Sequence, residues 1–348
     1  IMRDSGYYTG FFGKFGVNYK HVDALFDVTE VYDRLGRFKD RRGYFHKSIG
    51  NDTVHLTRYT GWKAMDFIEN VPDNRPFCLS ISFSAPHAHD PAPDQYFWQE
   101  KSDNLYKVKT IPLPPLTGDQ YFESLPREVK EGYNRTRWYW RYDTAEKYQQ
   151  SMKGYYRMIS EIDEEIGAIR RLLEQKEISD NTVIIVMGDN GYFEGERQLA
   201  GKWLMYDNSI RVPLIVFDPR EQSHHEIDDM VLNIDIPSTI LDIAGVKPPS
   251  SFQGFSLMPY VRNGHYDGKR ETILIEHLWE IPEIPSSEGI RTERWKYFRY
   301  RFIDAPEELY DLHKDPMEMN NLATDPYFQS VLDSLREELN FKSNKYYN

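Results

Sequence analysis

A loop that follows an apolar run carries the most informative side chains of this sequence. Residues 183–187 form an unbroken, largely β-branched run, which predicts a strand buried on both faces. Asp189 and Asn190 follow at its carboxyl end, where open α/β sheets place their chemistry. Their oxygens are hard ligands suited to Ca²⁺ or Mg²⁺, and Gly191 allows a tight turn around an ion. The sequence therefore predicts a cation site here, and Lys202 follows eleven residues after Gly191.

A long helix and further strands are predicted to position this loop. From residue 143 to 176 apolar side chains recur at steps of four and three, as on one helix face, and Asp143 followed by Glu146 is typical of a capping-box start. Residues 77–84 and 213–217 predict two more buried strands. Strand, helix and strand in turn favour an α/β fold with a doubly wound, mostly parallel sheet. The apolar helical positions are Tyr148, Met152, Tyr155, Ile159, Ile162, Ile166, Ile169 and Leu173.

The pattern changes beyond residue 247, at a linker of proline and serine. We therefore predict an α/β domain over residues 1–247 and a smaller antiparallel α+β subdomain over residues 248–348. Within the first domain, residues 91–140 are rich in proline and aromatics without clean periodicity, which predicts a long, partly ordered excursion over the sheet edge. The elements predicted in the subdomain are strands at 272–276, 289–300 and 308–312 and a helix at 327–339.

Composition and charge limit the classes of protein to which the chain can belong. A chain of 348 residues with 40% hydrophobic side chains can build a sizeable core and about two domains. Its formal charge of −12 argues against a nucleic-acid binder or a basic membrane-surface module. No run of the sequence is long enough for a transmembrane helix. The single cysteine, Cys78, excludes an intramolecular disulfide framework, and its apolar surroundings predict an inert core thiol.

Six short blocks occur in one order along the chain. They are GYYT with GK (6–14), APHAH (85–89), GDNGYFEGE with AGK and SIRVPLI (188–215), PSTILDIAG with QGFSL (237–257), GIRT with WKY (289–297) and ELYDLHKDP (308–316). One block alone would be weak, but six in register resemble the sulfatase family of the alkaline-phosphatase superfamily over nearly the whole chain. The resemblance implies an alkaline-phosphatase-like α/β/α sandwich.

The resemblance also implies parts that this sequence lacks. In the family a Cys or Ser in a C/S-x-P-S-R motif becomes formylglycine, the nucleophile, and a pair of aspartates upstream binds the metal. Neither occurs from Ile1 onwards, so we expect the chain to be the carboxyl-terminal part of a longer protein. Cys78 is no substitute, because residues 78–82 lack the proline and arginine of the motif. Gly16 also departs from the family, where a histidine of the GKWHLG block helps to orient the nucleophile.

Five residues fall on the family's site positions. The resemblance implies that Asp189 and Asn190 hold a divalent cation, calcium in preference to magnesium. It places Lys14 and Lys202 near the nucleophile and the sulfate, and makes His87 the acid that protonates the leaving oxygen. Cleavage of a sulfate ester needs this set of roles, because charge develops on the sulfate and the departing alcohol needs a proton.

Two runs of aromatic rings beside charges, residues 138–142 and 277–280, suit a sugar. Flat rings stack on sugar faces, and arginine binds further anionic groups. Packing between subdomains explains the first run equally well. The expected partner is a sulfated carbohydrate, with N-acetylglucosamine 6-sulfate as one type. The candidate substrate contacts are His89, His277, Trp279 and Arg141.

His87, His89 and Asp90 also form an H-x-H-D run. Two imidazoles and a carboxylate would suit zinc. No further histidine pair occurs at a suitable spacing, and Asp189 and Asn190 are oxygen donors, so the sequence favours calcium.

Three functions remain open at this point. The first is a calcium-dependent, formylglycine-type sulfatase acting on a sulfated glycan, exported to the periplasm, the lysosome or the medium as the family resemblance implies. The second is a phosphodiesterase or phosphonate hydrolase of the same superfamily. The third is a non-catalytic carbohydrate-binding module. The sequence upstream of Ile1 would separate them, and the oligomeric state is left open.

Overall fold

A computed structural model of the chain describes residues 1–90, 92–279 and 283–347. Pro91 and Glu280, which belong to predicted segments, lie outside the described residues. The chain divides into two compact units, and the predicted boundary between residues 247 and 248 stays a prediction. Unit 1 comprises Ile1–Pro112 and Thr144–Val183, and unit 2 comprises Leu113–Asp143 and Ile184–Asn348.

The strands are, in chain order, β1 Tyr8–Gly13, β2 Val28–Val31, β3 Lys47–Ile49, β4 Asp52–Val54, β5 Phe77–Ser82, β6 Ile184–Met187, β7 Phe193–Glu194, β8 Ala200–Gly201, β9 Leu214–Phe217, β10 Thr272–His277, β11 Ser287–Thr292, β12 Trp295–Tyr300 and β13 Glu308–Asp311. The α-helices are α1 Leu56–Glu69, α2 Asp119–Glu123, α3 Arg127–Lys130, α4 Tyr133–Arg141, α5 Ala145–Gln175, α6 Asp207–Ile210, α7 Asp235–Ile243, α8 Met258–Asn263 and α9 Gln329–Tyr347. Residues 91–140, predicted as an excursion, therefore contain short helices.

A parallel sheet with the strand order β2-β1-β5 organises unit 1. Because these strands run in the same direction, their carboxyl ends meet at one edge. Gly13 is needed at that edge, since its φ is +111° and a Cβ would lie 1.9 Å from the carbonyl oxygen of Ser82. Behind the sheet, α1 contacts α5, where Gly61 leaves room for the side chain of Glu165.

Helix α5 confirms the predicted long helix and corrects its start. The N-cap is Thr144, whose hydroxyl accepts the backbone N–H of Lys147 at 3.2 Å, and not Asp143. The two residues are adjacent and both suit a cap, so the periodic pattern alone did not separate them. Ile159, predicted on the buried face, is 40% exposed, because the buried face passes through its neighbour Met158 instead.

An antiparallel sheet with the order β10-β11-β12-β13 lies in unit 2 and is covered by α9. Leu332 and Leu339 of α9 pack against Ile290 and Tyr297 of the sheet. The predicted strands and helix of this region are confirmed with one correction. Residues 289–300 form two strands, β11 and β12, because the chain turns back between them.

The strand before Asp189 is less buried than the sequence predicts. β6 pairs antiparallel with β9, and within the described residues these two strands form a separate ribbon. Met187 of β6 is 37% exposed, and Ile215 and Phe217 of β9 are 62% and 44% exposed. The prediction of burial on both faces is wrong here, because alternate side chains of a ribbon packed on one face point outward.

The fold class predicted from the sequence is confirmed. A three-stranded parallel sheet with helices and a four-stranded antiparallel sheet with a helix are the elements expected of this α/β fold. Cys78 is half-buried in β5, and burial raises the pKa of its thiol, as expected of an unreactive core cysteine. Throughout the described ranges, each helix is too short or too polar to cross a membrane.

Candidate active site

Three loops meet at the carboxyl edge of the unit 1 sheet. Lys14 follows β1, Arg34 follows β2 and His87 follows β5, and β1 lies between the other two strands. The backbone N–H of Lys14 donates to the carbonyl oxygen of Ser82 at 3.0 Å, which ties the lysine to the end of β5. This edge therefore carries Lys14 and His87, as the family motifs implied. It also carries Arg34, which the sequence did not indicate.

His87 is held in one tautomer by contacts to both ring nitrogens. Its Nδ1 lies 2.7 Å from the carbonyl oxygen of Ala88, which can only accept, so Nδ1 carries the proton. Its Nε2 lies 3.4 Å from Nη2 of Arg34, which can only donate, so Nε2 is the acceptor. Both contacts fit the Nδ1–H tautomer, in which the Nε2 lone pair is directed at Arg34.

The backbone of the His87 loop is anchored from the core. Tyr44 is fully buried, and its hydroxyl donates to the carbonyl oxygens of His87 at 2.5 Å and Ser84 at 3.2 Å. Its ring stacks on His55 with the ring centroids 5.1 Å apart. Burial raises the pKa of the Tyr44 hydroxyl, so it remains a donor over the ordinary pH range.

His89 is a core residue, which corrects its prediction as a substrate contact. Its side chain is fully buried, and its Nε2 lies 2.6 Å from the carbonyl oxygen of Phe38. Gly43 packs so closely on the ring that a Cβ there would lie 2.5 Å from Nε2. Because this nitrogen is occupied and His87 points to Arg34, the two histidines do not converge on a common metal. Within residues 1–90, 92–279 and 283–347, no three His, Cys, Asp or Glu side chains form a metal-binding group.

The loop after β6 brings the predicted residues of unit 2 together. Asp189 is exposed, and Nζ of Lys202 lies 2.5 Å from Oδ1 of Asn190. The amide nitrogen of Asn190 donates to the carbonyl oxygen of Gly191 at 2.7 Å. Gly191 is required, since a Cβ there would lie 2.3 Å from the carbonyl oxygen of Asn208. The amide and the lysine of the motif are thus in contact, and together with the adjacent exposed Asp189 they are called the unit 2 cluster.

Helix α4 positions the segment that carries Lys202. Nδ2 of Asn134 donates to the carbonyl oxygen of Lys202 at 3.0 Å. The guanidinium of Arg137 lies between two rings, 4.4 Å from the centroid of Tyr133 and 4.5 Å from that of Trp203. Trp203 itself has a φ of +83°, an uncommon conformation for a bulky residue. The lysine is therefore held by its backbone as well as by its side chain.

The remaining predicted contacts differ in their exposure. Arg141 is fully buried, and its Nη1 donates to the hydroxyl of Tyr192 at 2.8 Å. It supports the Asn190 loop from within and does not present a surface to a sugar, which corrects its predicted role. His277 is half-buried, and burial lowers the pKa of its ring. Trp279 is 60% exposed and stays a candidate for stacking on a sugar.

The oxygen donors of the unit 2 cluster fit calcium in type. Asp189 and Asn190 supply two of the roughly six to eight oxygens that calcium takes. Oδ1 of Asn190 already accepts from Lys202, but an amide oxygen has a second lone pair for a cation. The cluster can therefore contribute a pair of ligands and a neighbouring positive charge that suits an anion.

The family profile of the sulfatases matches residues 1–246. A second profile, N-sulphoglucosamine sulphohydrolase, C-terminal, matches residues 195–345. The chain therefore belongs to the sulfatase family, a family of sulfuric ester hydrolases, which confirms the resemblance of its motifs.

Curated relatives carry sulfatase names. N-acetylglucosamine-6-O-sulfatase of Bacteroides thetaiotaomicron is 27% identical over 92% of this chain and 67% of its own length. Choline-sulfatase of Rhizobium meliloti is 31% identical over 93% and 66%, and arylsulfatase K of Gallus gallus is 26% identical over 93% and 63%. The chain thus spans about two thirds of the length of these relatives.

Solved structures share the fold. One neighbour, bound to its substrate D-glucosamine-2-N,6-O-disulfate, superposes with a TM-score of 0.78 at 23% identity over 99% of this chain and 81% of its own. Phosphonate monoester hydrolase of Silicibacter pomeroyi superposes with a TM-score of 0.74 at 22% identity over 99% and 79%. Because sulfatases and phosphonate hydrolases both match at this identity, these likenesses establish the fold alone.

Proposed function

We propose that the complete protein is a calcium-dependent, formylglycine-type sulfatase that removes sulfate from a sulfated carbohydrate of the N-acetylglucosamine 6-sulfate type. The observation that carries this proposal is the 2.5 Å contact between Lys202 and Asn190 beside the exposed Asp189, within the segment matched by the family. The name of the Bacteroides relative and the sugar disulfate bound by the structural neighbour support the substrate class.

Each residue has a role that its surroundings support. Asp189 and Asn190 hold the cation, and a calcium ion there would offset the charge of the sulfate oxygens. The family resemblance assigns Lys202 and Lys14 to the sulfate, to which each would offer a fixed positive charge. His87 delivers a proton to the leaving oxygen, which requires a proton on Nε2, the nitrogen that now accepts from Arg34. Formylglycine as the nucleophile remains a prediction from the family.

Trp279 and His277 are proposed as sugar contacts, and the protein is proposed to be exported. The exposed indole of Trp279 offers a flat apolar face to a pyranose ring. Export follows from the family resemblance and has no separate support in the fold.

The test is release of inorganic sulfate from N-acetylglucosamine 6-sulfate by the complete protein. We expect Lys202→Ala to lower kcat/KM by about 10²–10³-fold, because it removes one preorganised charge from the transition state. Lys247→Ala, at an exposed lysine, is the matched control and should leave kcat/KM unchanged. Chelation should abolish turnover, and calcium should restore it better than magnesium.

Two results would redirect the proposal. Faster cleavage of a phosphonate monoester than of any sulfate ester would assign the protein to phosphonate hydrolysis. Binding of the sugar without turnover, in a protein whose upstream sequence lacks a C/S-x-P-S-R motif, would assign it to carbohydrate binding.

A further inference from the structure

Among the residues that the structure describes, the guanidinium of Arg34 makes only long contacts. Its Nη1 lies 3.4 Å from both carboxylate oxygens of Asp33, and its Nη2 lies 3.4 Å from Nε2 of His87. Well-formed bonds between charged groups are about 2.7–2.9 Å long. In the same unit, Arg42 reaches Asp40 at 2.6–3.0 Å. The guanidinium of Arg34 therefore forms a strong hydrogen bond with neither Asp33 nor His87.

The contact with His87 has a chemical consequence. A guanidinium that donates to Nε2 disfavours a proton on that nitrogen, because the two would be positive neighbours with opposed N–H groups. The contact with Arg34 therefore makes His87 a poorer proton donor to a leaving oxygen through Nε2. A group that draws Arg34 away would leave this nitrogen able to take up a proton from solvent, which His87 then delivers to the leaving oxygen.

We propose that Arg34 is a specificity-determining residue that binds a second sulfate group on the substrate, and that this binding releases Nε2 of His87. The inference rests on the sulfatase function proposed above. A sulfate offers several oxygens to the guanidinium fork and makes a better partner than the two contacts of 3.4 Å. With 18% of its side chain exposed, Arg34 is accessible to such a group.

The position of Arg34 separates this second sulfate from the one that is cleaved. Arg34 follows β2 and Lys14 follows the neighbouring β1, and adjacent strands lie about 4.8 Å apart. The guanidinium of Arg34, however, reaches Nε2 of His87, the proposed proton donor to the leaving oxygen of the sugar, so a group that it binds lies on the sugar side of the cleaved sulfate. The preferred substrate is therefore a sugar with two sulfates, of which only one is removed at this site.

Kinetics of the complete protein on two substrates test the proposal. We expect the wild type to prefer glucosamine 2-N,6-O-disulfate to N-acetylglucosamine 6-sulfate. Arg34→Gln should lower kcat/KM for the disulfate by roughly 10–100-fold, as loss of a charged hydrogen bond does, with the change mainly in KM. The monosulfate should be cleaved no more slowly than by the wild type. Arg37→Gln, at an exposed arginine three residues on, is the matched control and should change neither value.

An equal loss on both substrates would show that Arg34 only supports the loop, and no loss on either would show that it has no role; each result overturns the proposal. A second measurement is independent of turnover. ¹⁵N resonances of the His87 ring, assigned with His87→Gln, should show the Nδ1–H tautomer in the wild type and a mixture in Arg34→Gln. The disulfated sugar should shift the wild-type Nε2 signal further than the monosulfate does, and the two sugars should shift it equally in Arg34→Gln.

Affinity and ring tautomer test the role of Arg34 separately from the proposed sulfatase activity. If the protein cleaves neither sugar, calorimetric affinity for the disulfate in the wild type and in Arg34→Gln still decides whether Arg34 binds the second sulfate. Equal affinities together with an unchanged ring tautomer would reject it.

Discussion

Charged groups are bonded very differently at the carboxyl edge of the unit 1 sheet and in the interior of unit 2. Arg34, at the edge, has contacts of 3.4 Å to a carboxylate and to an imidazole. In the interior of unit 2, Lys296 is fully buried and bonds Asp207 and Glu318, the latter at 2.6 Å. The first group lacks a good partner, whereas the second has two.

A second interior group in unit 2 is equally well satisfied. The carboxylate of Glu308 accepts hydroxyl groups from Tyr206 at 2.7 Å, Tyr300 at 2.9 Å and Tyr310 at 2.5 Å. Burial raises the pKa of Glu308, and the three donors offset part of that shift. Such a network holds the core in one arrangement and leaves little capacity for a ligand.

The difference indicates how structural and functional charges can be told apart. A buried charge without partners would cost several kcal/mol, so an interior charge such as Lys296 is paired by the fold itself. At an accessible edge water can solvate a charge, so a long contact is tolerated there and the group can exchange its partner for a ligand. Contact length together with exposure is therefore more informative than residue type.

The largest expected effect is on Lys296. Lys296→Met leaves the buried Glu318 and the partly buried Asp207 without their lysine, and should lower the free energy of unfolding by about 3–5 kcal/mol. Burial alone would raise the pKa of Asp207, but Lys296 and Arg291 outweigh it and lower that pKa in the native protein. In the variant, the pKa of these carboxyls should lie above its value in the unfolded chain, so the native state takes up protons first as the pH falls. The loss in free energy of unfolding relative to the wild type should therefore become smaller from pH 8 to pH 5. Urea denaturation measures both effects.

The exposed Lys247→Met is the control for that experiment and should be neutral. A deficit for Lys296→Met below 1 kcal/mol, or one that grows at low pH, would mean that the interior charges are not held by this pairing.

An intermediate effect is expected for Tyr300→Phe. The change removes one of three donors to Glu308 and should lower the free energy of unfolding by about 1.5–3 kcal/mol, the usual value for a hydrogen bond to a charged group. Tyr327→Phe, at a tyrosine that is 83% exposed, is the matched control. Equal stability of the two variants would contradict the view that Glu308 depends on its donors.

The smallest effect on stability is expected for Arg34→Gln. Partly exposed ion pairs with long contacts contribute little, so the free energy of unfolding should change by less than about 0.5 kcal/mol. This prediction sharpens the comparison, because the same variant is expected to lose its preference for a disulfated sugar. A loss above 2 kcal/mol would make Arg34 a structural residue like Lys296.

The parts of the fold with strong local signals could be predicted from the sequence. Helix α5 follows from apolar periodicity, and the strand regions of the antiparallel sheet follow from short runs between turns, except for the turn that divides β11 from β12. The contact of Lys202 with Asn190 agrees with their places in the family blocks. In each case a pattern along the chain was sufficient, because either the partners share one element or the motif itself encodes their proximity.

Other features depended on tertiary contacts that no local pattern records. His87 and His89 are two residues apart in the same motif. His87 nevertheless lies at the sheet edge, whereas His89 is fully buried and packs against Gly43. Arg34 stands in a loop without a motif, and only the strand order β2-β1-β5 brings it to His87. The exposure of β9 likewise depends on which of its faces is covered.

The hydrogen bond from Asn134 to the backbone of Lys202 joins positions 68 residues apart in the sequence. The position of Lys202 therefore depends on two segments of the chain, the AGK block and helix α4, and only the first lies inside the motif. A homologue in which α4 has diverged could keep every letter of the AGK block and still hold its lysine elsewhere. Inactive homologues could thus contain the complete motif. The residue at the position of Asn134, which bonds the Lys202 carbonyl, would distinguish them from active ones.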